Sequence, residues 1–338
     1  MNTFARCLMA AASLAAGSSH AWQTYSVMDP SNTPPFPTIQ AFARGVNDQG
    51  EVLVATSNSS VFSYSVCANQ ACTSLAPPTS GPFWTANWIG NLGTVAGSVN
   101  QGVDYAFIGS TLIGYDRNGS AGAGFGLNSE AKAGNYQGLA TGSAEFAGAP
   151  GRQAFRYTPG AAGMVSLGTL GGTSSEGRDI NPWGNIAGSS QMPGDNSTHA
   201  FLDVAGVMTD LGTLGGTDSW ANALTDHRTV VGCSTTRDKG LKAFVNRYNR
   251  PMQGLPHLVR KPSCALAVNH GNEIVGYSTS NGGSRAVLWY GNQVVDLNTL
   301  LNATGAGWTL VEATGINTYG QIVGNGIYNG LKRPFILY

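Results

Sequence analysis

The chain has 338 residues, and only 11% of them are charged, against about 25% in ordinary soluble domains. Its 18 basic and 18 acidic residues cancel, which excludes the electrostatic footprint of a protein that binds DNA, RNA or anionic lipid. The 42% of hydrophobic residues suffice for a sizeable core, and the 47 glycines indicate a β protein with many turns.

The N-terminus has the pattern of a secretory signal peptide. A basic n-region is followed by an apolar run over 7–17 and by small residues at 19 and 21, ahead of a cleavage point before Trp22. The apolar run is too short to span a membrane. We therefore predict a signal peptide over residues 1–21, a mature chain over 22–338, and secretion to the extracellular space or the periplasm.

Removal of the signal leaves four cysteines, an even number that suits an oxidising compartment. Cys67 and Cys72 are separated by four residues, so a disulfide between them would staple a hairpin. Cys233 and Cys264 form the second candidate pair. Free buried thiols are the alternative for both pairs. No histidine or further cysteine lies at metal-ligand spacing, and the sequence predicts neither a metal site nor another cofactor.

A hydrophobic residue followed by Asn, two free positions and Gly recurs along the mature chain. Asn at the first turn position and Gly at the fourth suit a type I turn that closes a bulged hairpin, so each copy reads as strand, tight turn, strand. When degraded copies are included, the hydrophobic residues that open the predicted hairpins are Val46, Ile89, Leu127, Ile180, Leu224, Val268 and Ile316.

Two further landmarks follow the predicted hairpins. A small residue and then an aromatic or aliphatic one, as in Ala154-Phe155, opens a predicted third strand. Segments such as 208–211 read as a fourth strand. Two of these run into Leu-Gly-Thr-Leu-Gly-Gly at 167–172 and 211–216. We interpret these glycine-rich stretches as crossings to the next unit, because no helix follows them as it would in a phosphate loop.

Four short strands per unit, a period near 45 residues and seven units predict an all-β fold, a seven-bladed β-propeller over 22–338. The seventh unit ends after its third strand, at 335–337. Residues 24–29 resemble the missing fourth strand. We therefore predict that the N-terminal strand closes the ring. A right-handed β-solenoid is the alternative, but its repeats are normally shorter.

The units resemble the HAF repeat of bacterial extracellular proteins, which is named for His-Ala-Phe. That triplet occurs here at 199–201, and the segments 180–188 and 210–216 match the surrounding pattern. The resemblance is strongest from about residue 124 to 217. It implies a secreted bacterial repeat protein, and it brings no catalytic residues with it.

No motif of a catalytic nucleophile, a zinc protease or a phosphate loop is present, and the five histidines are scattered. Glycoside hydrolysis needs two carboxylates about 5 to 10 Å apart. Glu176 and Asp195 are the candidates for such a pair, and they are too few to indicate an enzyme. Turn formation explains Asp48, Asp195 and Asp226 without a bound calcium ion.

Aromatic residues are the more informative set. In the predicted propeller one face, called the top, carries the crossings between blades and the loops from second to third strands. Three tryptophans precede inner strands on this face, where a sugar or peptide would find aromatic and polar groups together. Packing between neighbouring blades is the alternative for them. Trp183, in contrast, belongs to a turn on the opposite, bottom face and should be exposed.

These observations predict a secreted, non-catalytic, monomeric propeller that presents a binding face to extracellular protein or glycan. It should bind no nucleic acid and insert into no membrane. One alternative is a secreted carbohydrate-active enzyme, a glycan lyase or glycosidase with its site at the top of the central channel. The other is a passive structural or adhesive protein. The candidate ligand-binding residues are Trp84, Trp220, Trp308, Arg237 and Arg285.

Overall fold

A computed structural model describes residues 23–30, 39–58, 61–69, 71–80, 83–113, 128–160 and 163–338. The predicted signal peptide over 1–21 lies outside the described residues. Within them, the regular structure consists of β-strands and two short 3-10 helices. The strands form seven four-stranded antiparallel sheets, and the first strand of each sheet packs against the first strand of the next around a closed ring. The chain is therefore an all-β, seven-bladed β-propeller, as predicted.

The first half of the chain contains the closing strand β1 (Val27–Met28) and three blades. Blade 1 consists of β2 (Ile39–Val46), β3 (Val52–Asn58), β4 (Val61–Ala68) and β5 (Ala71–Ser74). Blade 2 consists of β6 (Phe83–Ile89), β7 (Val95–Asn100), β8 (Asp104–Ile108) and β9 (Thr111–Leu112). Blade 3 consists of β10 (Glu130–Gly134), β11 (Ala140–Glu145), β12 (Arg152–Tyr157) and β13 (Met164–Ser166).

The second half contains four blades. Blade 4 consists of β14 (Ser175–Ile180), β15 (Ile186–Gln191), β16 (Thr198–Val204) and β17 (Val207–Asp210). Blade 5 consists of β18 (Gly215–Leu224), β19 (Val230–Thr236), β20 (Leu241–Asn246) and β21 (Gln253–Gly254). Blade 6 consists of β22 (Ser263–Val268), β23 (Ile274–Ser280), β24 (Gly283–Tyr290) and β25 (Gln293–Asp296). The 3-10 helices η1 (Leu297–Leu300) and η2 (Ala303–Gly305) then lead to β26 (Trp308–Ile316), β27 (Ile322–Tyr328) and β28 (Leu331–Leu337) of blade 7.

The N-terminal strand closes the ring, which confirms the prediction from the sequence. β1 pairs with β28 as the fourth strand of blade 7, with Val27 opposite Leu337 and Met28 opposite Ile336. The N–H of Tyr338 also donates to the carbonyl oxygen of Ser26, at 3.1 Å. This pairing covers the outer edge that β28 would otherwise expose.

The recurring Asn-x-x-Gly stretches are the turns between first and second strands. In blade 4 the N–H of Gly184 donates to the carbonyl oxygen of Asn181, and Gly184 has the positive φ, 75°, that this turn requires. The Asn181 side chain accepts hydrogen bonds from the N–H groups of Trp183 and Asn185, at 3.1 and 3.0 Å. Blades 5 and 6 place Arg228 and Asn272 at the position of positive φ instead of Gly.

The third hairpin lies elsewhere than predicted. Its turn runs from Asn135 to Gly138, so the residue equivalent to Val46 is Gly134 and the predicted opening at Leu127 was wrong. Leu127 itself lies outside the described residues. The prediction failed because Gly134 is not hydrophobic, and the search began from a hydrophobic residue ahead of each turn.

The core is divided among the junctions between blades. The described residues form seven hydrophobic clusters, most of which combine side chains of neighbouring sheets. In one of them, Ala200 and Leu202 of blade 4 pack with Ala221, Leu224 and Phe244 of blade 5. The Ala-Phe pairs of the third strands supply much of this core, and the phenylalanines at 155, 201, 244 and 335 are fully buried.

Both predicted disulfides are present. Cys67 and Cys72 are opposite each other in β4 and β5 of blade 1, with Cα atoms 4.1 Å apart. Cys233 in β19 is bonded to Cys264 in β22, with Cα atoms 4.8 Å apart, and this bond joins blade 5 to blade 6. No helix among the described residues is long and apolar enough to cross a membrane.

Candidate functional site

Each of the seven inner strands contains a β-bulge at an equivalent position. The pairing register skips one residue there, so that residue is left out of the ladder and the strand bends locally. All seven of these residues face the central channel, whose volume is about 510 Å³. The bulged residues are Arg44, Asn87, Lys132, Arg178, Asn222, Leu266 and Thr314.

The bulge explains why most of the second strands carry a glycine opposite it. A Cβ added to Gly188 in β15 would lie 2.0 Å from the carbonyl oxygen of Glu176 in the bulged strand β14, closer than any real contact. The same close approach, at 1.8 to 2.1 Å, occurs at the equivalent glycines of blades 2, 3, 5, 6 and 7. Glycine is therefore required here by the approach of two backbones.

Several bulged side chains connect neighbouring blades. The Nδ2 atom of Asn87 donates to the carbonyl oxygen of Ala131 at 2.9 Å, and Nδ2 of Asn222 donates to that of Ala265 at 2.8 Å. The hydroxyl of Thr314 donates to the carbonyl oxygen of Ala43 at 3.2 Å and so joins blade 7 to blade 1. These bonds hold the wall of the channel in one arrangement.

Blades 3 and 4 place charged groups at the top mouth of the channel. Glu130 and Glu176 each lie two positions before a bulge, on the side of the inner strand that faces the top. Lys132 Nζ is 2.8 Å from Glu130 Oε1 and 3.6 Å from Glu176 Oε1. Arg178 Nε is 2.6 Å from Glu176 Oε2. Two carboxylates are thereby fixed around one ammonium group.

These contacts keep Glu130 ionised. Burial alone would raise its pKa, but the hydrogen bond and charge of Lys132, together with a hydrogen bond from Asn87, outweigh burial and lower the pKa below the usual value. Nδ2 of Asn87 is 2.8 Å from Glu130 Oε1. A carboxylate in this environment can accept hydrogen bonds at neutral pH but is poorly suited to donate a proton.

A polar depression of about 490 Å³ opens beside these carboxylates on the top face. Arg152 lies on its wall, with Nη2 3.0 Å from the hydroxyl of Ser143. All nine residues of the lining are polar, and five carry hydroxyl groups that can both donate and accept hydrogen bonds. The lining consists of Glu130, Ser143, Arg152, Ser174, Ser175, Glu176, Ser189, Gln191 and Thr198.

Two of the predicted ligand-binding tryptophans are packed against other aromatic rings. The ring centroid of Trp84 is 4.7 Å from that of Tyr64 and 6.3 Å from that of Phe107. Trp308 stacks on Tyr328 at 4.9 Å and meets Phe335 edge-on at 6.4 Å. These contacts match the packing alternative that the sequence left open. The tryptophans lie within the inner strands rather than in the crossings ahead of them.

The other predicted residues are more accessible. Trp220 is half-buried in β18 and occupies the position equivalent to Glu130 and Glu176, at the mouth of the channel. Arg237 is exposed in the loop between β19 and β20. Arg285 is half-buried in β24, with Nε 3.8 Å from Asp296 Oδ2. The five predicted residues belong to four different blades.

Sequence reasoning named Glu176 but missed Glu130, Arg152 and Gln191. These residues come together with Glu176 because of the bulge and the alignment of two adjacent blades. Neither feature can be predicted from the sequence of a single repeat. Asp195, the other carboxylate considered, lies on an exposed loop and accepts a hydrogen bond from the N–H of Thr173 at 2.8 Å. It does not line the depression.

Asp179 lies where the channel meets the bottom face. Its Oδ1 accepts from the N–H of Ile180 at 2.8 Å, and its Oδ2 accepts from the N–H of Leu224 in the next blade at 2.7 Å. Burial and the nearby charge of Asp226 raise the pKa of Asp179 to about 6, although the two N–H groups act in the opposite direction. No group of three or more His, Cys, Asp or Glu that could hold a metal ion occurs among the described residues.

The bottom face presents the turns between first and second strands. Trp183 is 76% exposed, as predicted, and Tyr136 and Tyr319 at neighbouring turn positions of blades 3 and 7 are also exposed. Asp48 accepts hydrogen bonds from Thr318 of blade 7 and from Asn91 of blade 2, so its carboxylate connects turns.

Comparisons with known proteins give the following results. No protein-family model matches the chain, and no curated protein sequence matches it. Among solved structures, a gluconolactonase from Xanthomonas campestris is 9% identical, with 93% of this chain and 89% of that chain covered and a TM-score of 0.45. A putative gluconolactonase is 10% identical, with 93% and 91% covered and a TM-score of 0.38. Similarity at this level does not assign a shared activity.

Proposed function

We propose that the protein is a secreted, non-catalytic propeller that binds an extracellular glycan at the top mouth of its channel. The observation that carries this proposal is the depression between blades 3 and 4, which is lined by nine residues of polar or charged types. A ligand rich in hydroxyl groups can pair with the carboxylates, guanidinium, amide and hydroxyls found there. An apolar ligand would displace water from these groups without replacing its hydrogen bonds, at a cost in binding free energy.

Secretion is supported by the signal-like pattern of residues 1–21 and by the two disulfides, which are typical of oxidising compartments. We also propose that the chain is a HAF-repeat protein. The repeated elements of that resemblance have defined roles in the propeller: a turn asparagine caps five of the seven hairpins, and the Ala-Phe pairs fill the core between blades. Secretion and repeat membership are both part of the proposal.

The alternative function is a secreted glycan lyase or glycosidase. Glu130 and Glu176 each have an oxygen near Lys132 Nζ, at 2.8 and 3.6 Å. These two oxygens are therefore at most about 6.4 Å apart, a limit that permits the ~5–5.5 Å separation of a retaining glycosidase pair. A glycosidase also needs one carboxylic acid that stays protonated, with a raised pKa. The pKa of Glu130 is lowered instead. Glu130 is therefore unsuited to be that acid, and binding, which needs no protonated carboxyl group, is the function we propose.

A glycan array probed with residues 22–338 tests the proposal. We expect binding to a defined set of glycans that is lost in Gln191→Ala and in Arg152→Ala, because both side chains line the depression. Trp183→Ala is the matched control, since it removes a large exposed side chain from the opposite face. Binding that survives both depression variants, or that Trp183→Ala abolishes, contradicts the proposed site. Release of reducing ends from a bound glycan would favour the enzyme.

A further inference from the structure

A second pocket lies on the top face between blades 5 and 6. It has a volume of about 200 Å³ and is formed by the loop between β19 and β20, the start of β20 and the crossing that leads into β22. It shares no residue with the depression of blades 3 and 4. Its lining consists of Thr236, Asp238, Gly240, Leu241, Lys242, His257, Arg260, Lys261 and Pro262.

Positive charge dominates this pocket. Lys242, Arg260 and Lys261 line it together with His257, and Asp238 is the one acidic residue of the lining. Asp238 Oδ2 is 3.2 Å from Arg260 Nη2, in a pair whose partners are both well exposed. One acidic group therefore faces three permanent cations, and the surface pair neutralises little of their charge.

The same imbalance is visible along the sequence. Residues 237–261 contain seven of the chain's 18 Lys and Arg residues but one of its 18 Asp and Glu residues, in a protein whose net charge is zero. Two of these cations, Arg237 and Lys239, are exposed in the loop beside the pocket. Arg247 and Arg250 lie in the turn between β20 and β21, at the other end of blade 5. The other five cations lie in or beside the pocket, with Asp238 as the one acidic residue of that stretch.

The contacts of individual side chains agree. Lys261 Nζ donates to the carbonyl oxygen of Ser280 at 3.4 Å, which positions the ammonium group without neutralising it. The pKa of His257 is lowered, first by burial and then by the nearby charges of Lys242 and Arg260. The charges of blade 5 and of the crossing therefore converge on the same space.

We propose that this pocket binds a carboxylate or sulfate group of an acidic polysaccharide. The inference rests on the proposed glycan-binding function and specifies the class of glycan. Three cations around a space of about 200 Å³ suit one charged sugar unit. The hydroxyl of Thr236 donates within its own loop, to Asp238 or to the carbonyl oxygen of Gly240. It can still accept a hydrogen bond from a hydroxyl group of such a sugar.

Other polyanions fit the pocket less well. Single-stranded nucleic acid is usually held by aromatic side chains on which bases stack, and His257 is the one aromatic residue in this lining. Duplex DNA requires a basic surface that follows a long backbone, whereas the positive charge here is confined to one junction between blades. An acidic polysaccharide carries one charged group per sugar, so its binding requires neither stacking side chains nor a long basic surface.

Binding of two acidic probes, oligogalacturonate and dextran sulfate, tests the inference. We expect the affinity of the mature chain for at least one probe to fall as salt is raised, and to fall by about tenfold or more in the double variant Lys242→Ala/Lys261→Ala. Comparing the two probes distinguishes a carboxylate site from a sulfate site. Lys332→Ala, an exposed cation on β28, is the matched control and should bind as the wild type does.

Several outcomes would overturn the inference. Equal affinity of the double variant and the wild type would do so, as would equal binding of carboxyl-reduced oligogalacturonate. Tighter binding of single-stranded DNA than of both probes would reassign the pocket to nucleic acid. Lys242→Gln/Lys261→Gln repeats the test if the alanine variant has a lowered melting temperature. Binding of neutral glycans that needs Gln191 but not Lys242 would preserve the proposed function while this inference failed.

Discussion

Asn317 donates a hydrogen bond from its side-chain amide to the main-chain carbonyl oxygen of Asn47, 3.0 Å away, although 270 positions separate the two residues. The same bond, from the turn asparagine of one blade to the equivalent residue of the next, starts from Asn47, Asn135, Asn181 and Asn269. Blades 2 and 5 carry Gly90 and Thr225 at this position and have no amide to donate. A nearly complete ring of asparagines therefore ties the bottom of the propeller together.

Replacing one member of this ring should destabilise the protein markedly. Asn181→Ala removes a bond to the carbonyl oxygen of Thr225 and two bonds to turn N–H groups, all at a buried position. We expect the free energy of unfolding to fall by about 2–4 kcal/mol in urea denaturation. Thr225→Ala, which loses one bond from the N–H of Thr229, should cost about 1 kcal/mol. Equal losses would show that the bond between blades contributes nothing.

Adding one methyl group beside the bulge should be poorly tolerated. Gly188→Ala would place Cβ 2.0 Å from the carbonyl oxygen of Glu176, so the backbone must move. We expect a loss of about 3 kcal/mol or more, or failure to fold. Gly45→Ala is the matched control, because no atom lies within 4 Å of its added Cβ. Thermal unfolding of both variants checks this, and a stable Gly188→Ala would mean that the bulge is not fixed.

Asp179 should make stability depend on pH in a defined window. Its folded pKa of about 6 exceeds the ordinary value of 3.8 for an aspartate, so its contribution to stability is fully present below the unfolded value and is lost as pH rises through 6. From about pH 4 to about pH 7 the wild type should lose up to about 3 kcal/mol relative to Asp179→Asn. Denaturant titrations across this window measure the difference. Asp195→Asn, on an exposed loop, is the control, and parallel curves for wild type and Asp179→Asn would refute the assignment.

The two disulfides should differ in their contribution to stability. Cys233 and Cys264 close a loop with a separation of 31 residues, and Cys67 and Cys72 one of 5. Because the entropy removed from the unfolded chain grows with loop length, the paired serine variants should lose about 4 and about 2 kcal/mol, respectively. Unfolding without reductant compares the two double variants. A larger loss for the 67/72 pair would show that contacts in the folded state, rather than chain entropy, determine the effect.

Substitution of Trp220 tests whether this side chain, at the channel mouth, binds the ligand or packs in the core. Its position is equivalent to those of Glu130 in blade 3 and Glu176 in blade 4, so we expect Trp220→Ala to weaken glycan binding by about 1–3 kcal/mol. Trp84→Ala, which empties a site between two aromatic rings, should instead lower stability by about 3 kcal/mol or more. Melting temperature and affinity are measured for both. If Trp220→Ala lowers stability as much as Trp84→Ala and leaves binding unchanged, Trp220 is a packing residue.

The fold could be predicted because its determinants are local and repeated. An asparagine turn fixes five of the seven hairpins by its own chemistry, and four Ala-Phe pairs mark buried third strands, so the clear copies define the period and the degraded ones follow from it. The one misplaced hairpin, at Leu127 instead of Gly134, arose where a small residue replaced the hydrophobic one. The resemblance of residues 24–29 to a fourth strand was enough to predict ring closure.

The candidate site was harder to predict because it depends on neighbours from separate repeats. Glu130 and Lys132 belong to one blade and Glu176 to the next, and their contact exists only after the bulges turn these side chains toward the channel mouth. Trp84 and Trp308 were considered binding residues because their position before an inner strand was visible, whereas their aromatic partners, such as Tyr64 and Tyr328, lie in other strands.

The pairing of Val27 with Leu337 has a consequence for the order in which the blades form during synthesis. A ribosome makes β1 first and β28 last, so the earliest strand must wait for the final one before it finds its partner. The hairpins of each blade can form as they emerge, but the ring stays open until β28 has been made. A chain that stops before β28 therefore leaves β1 unpaired and the ring of blades open. These exposed strand edges are features by which a protease or chaperone can recognise an incomplete chain.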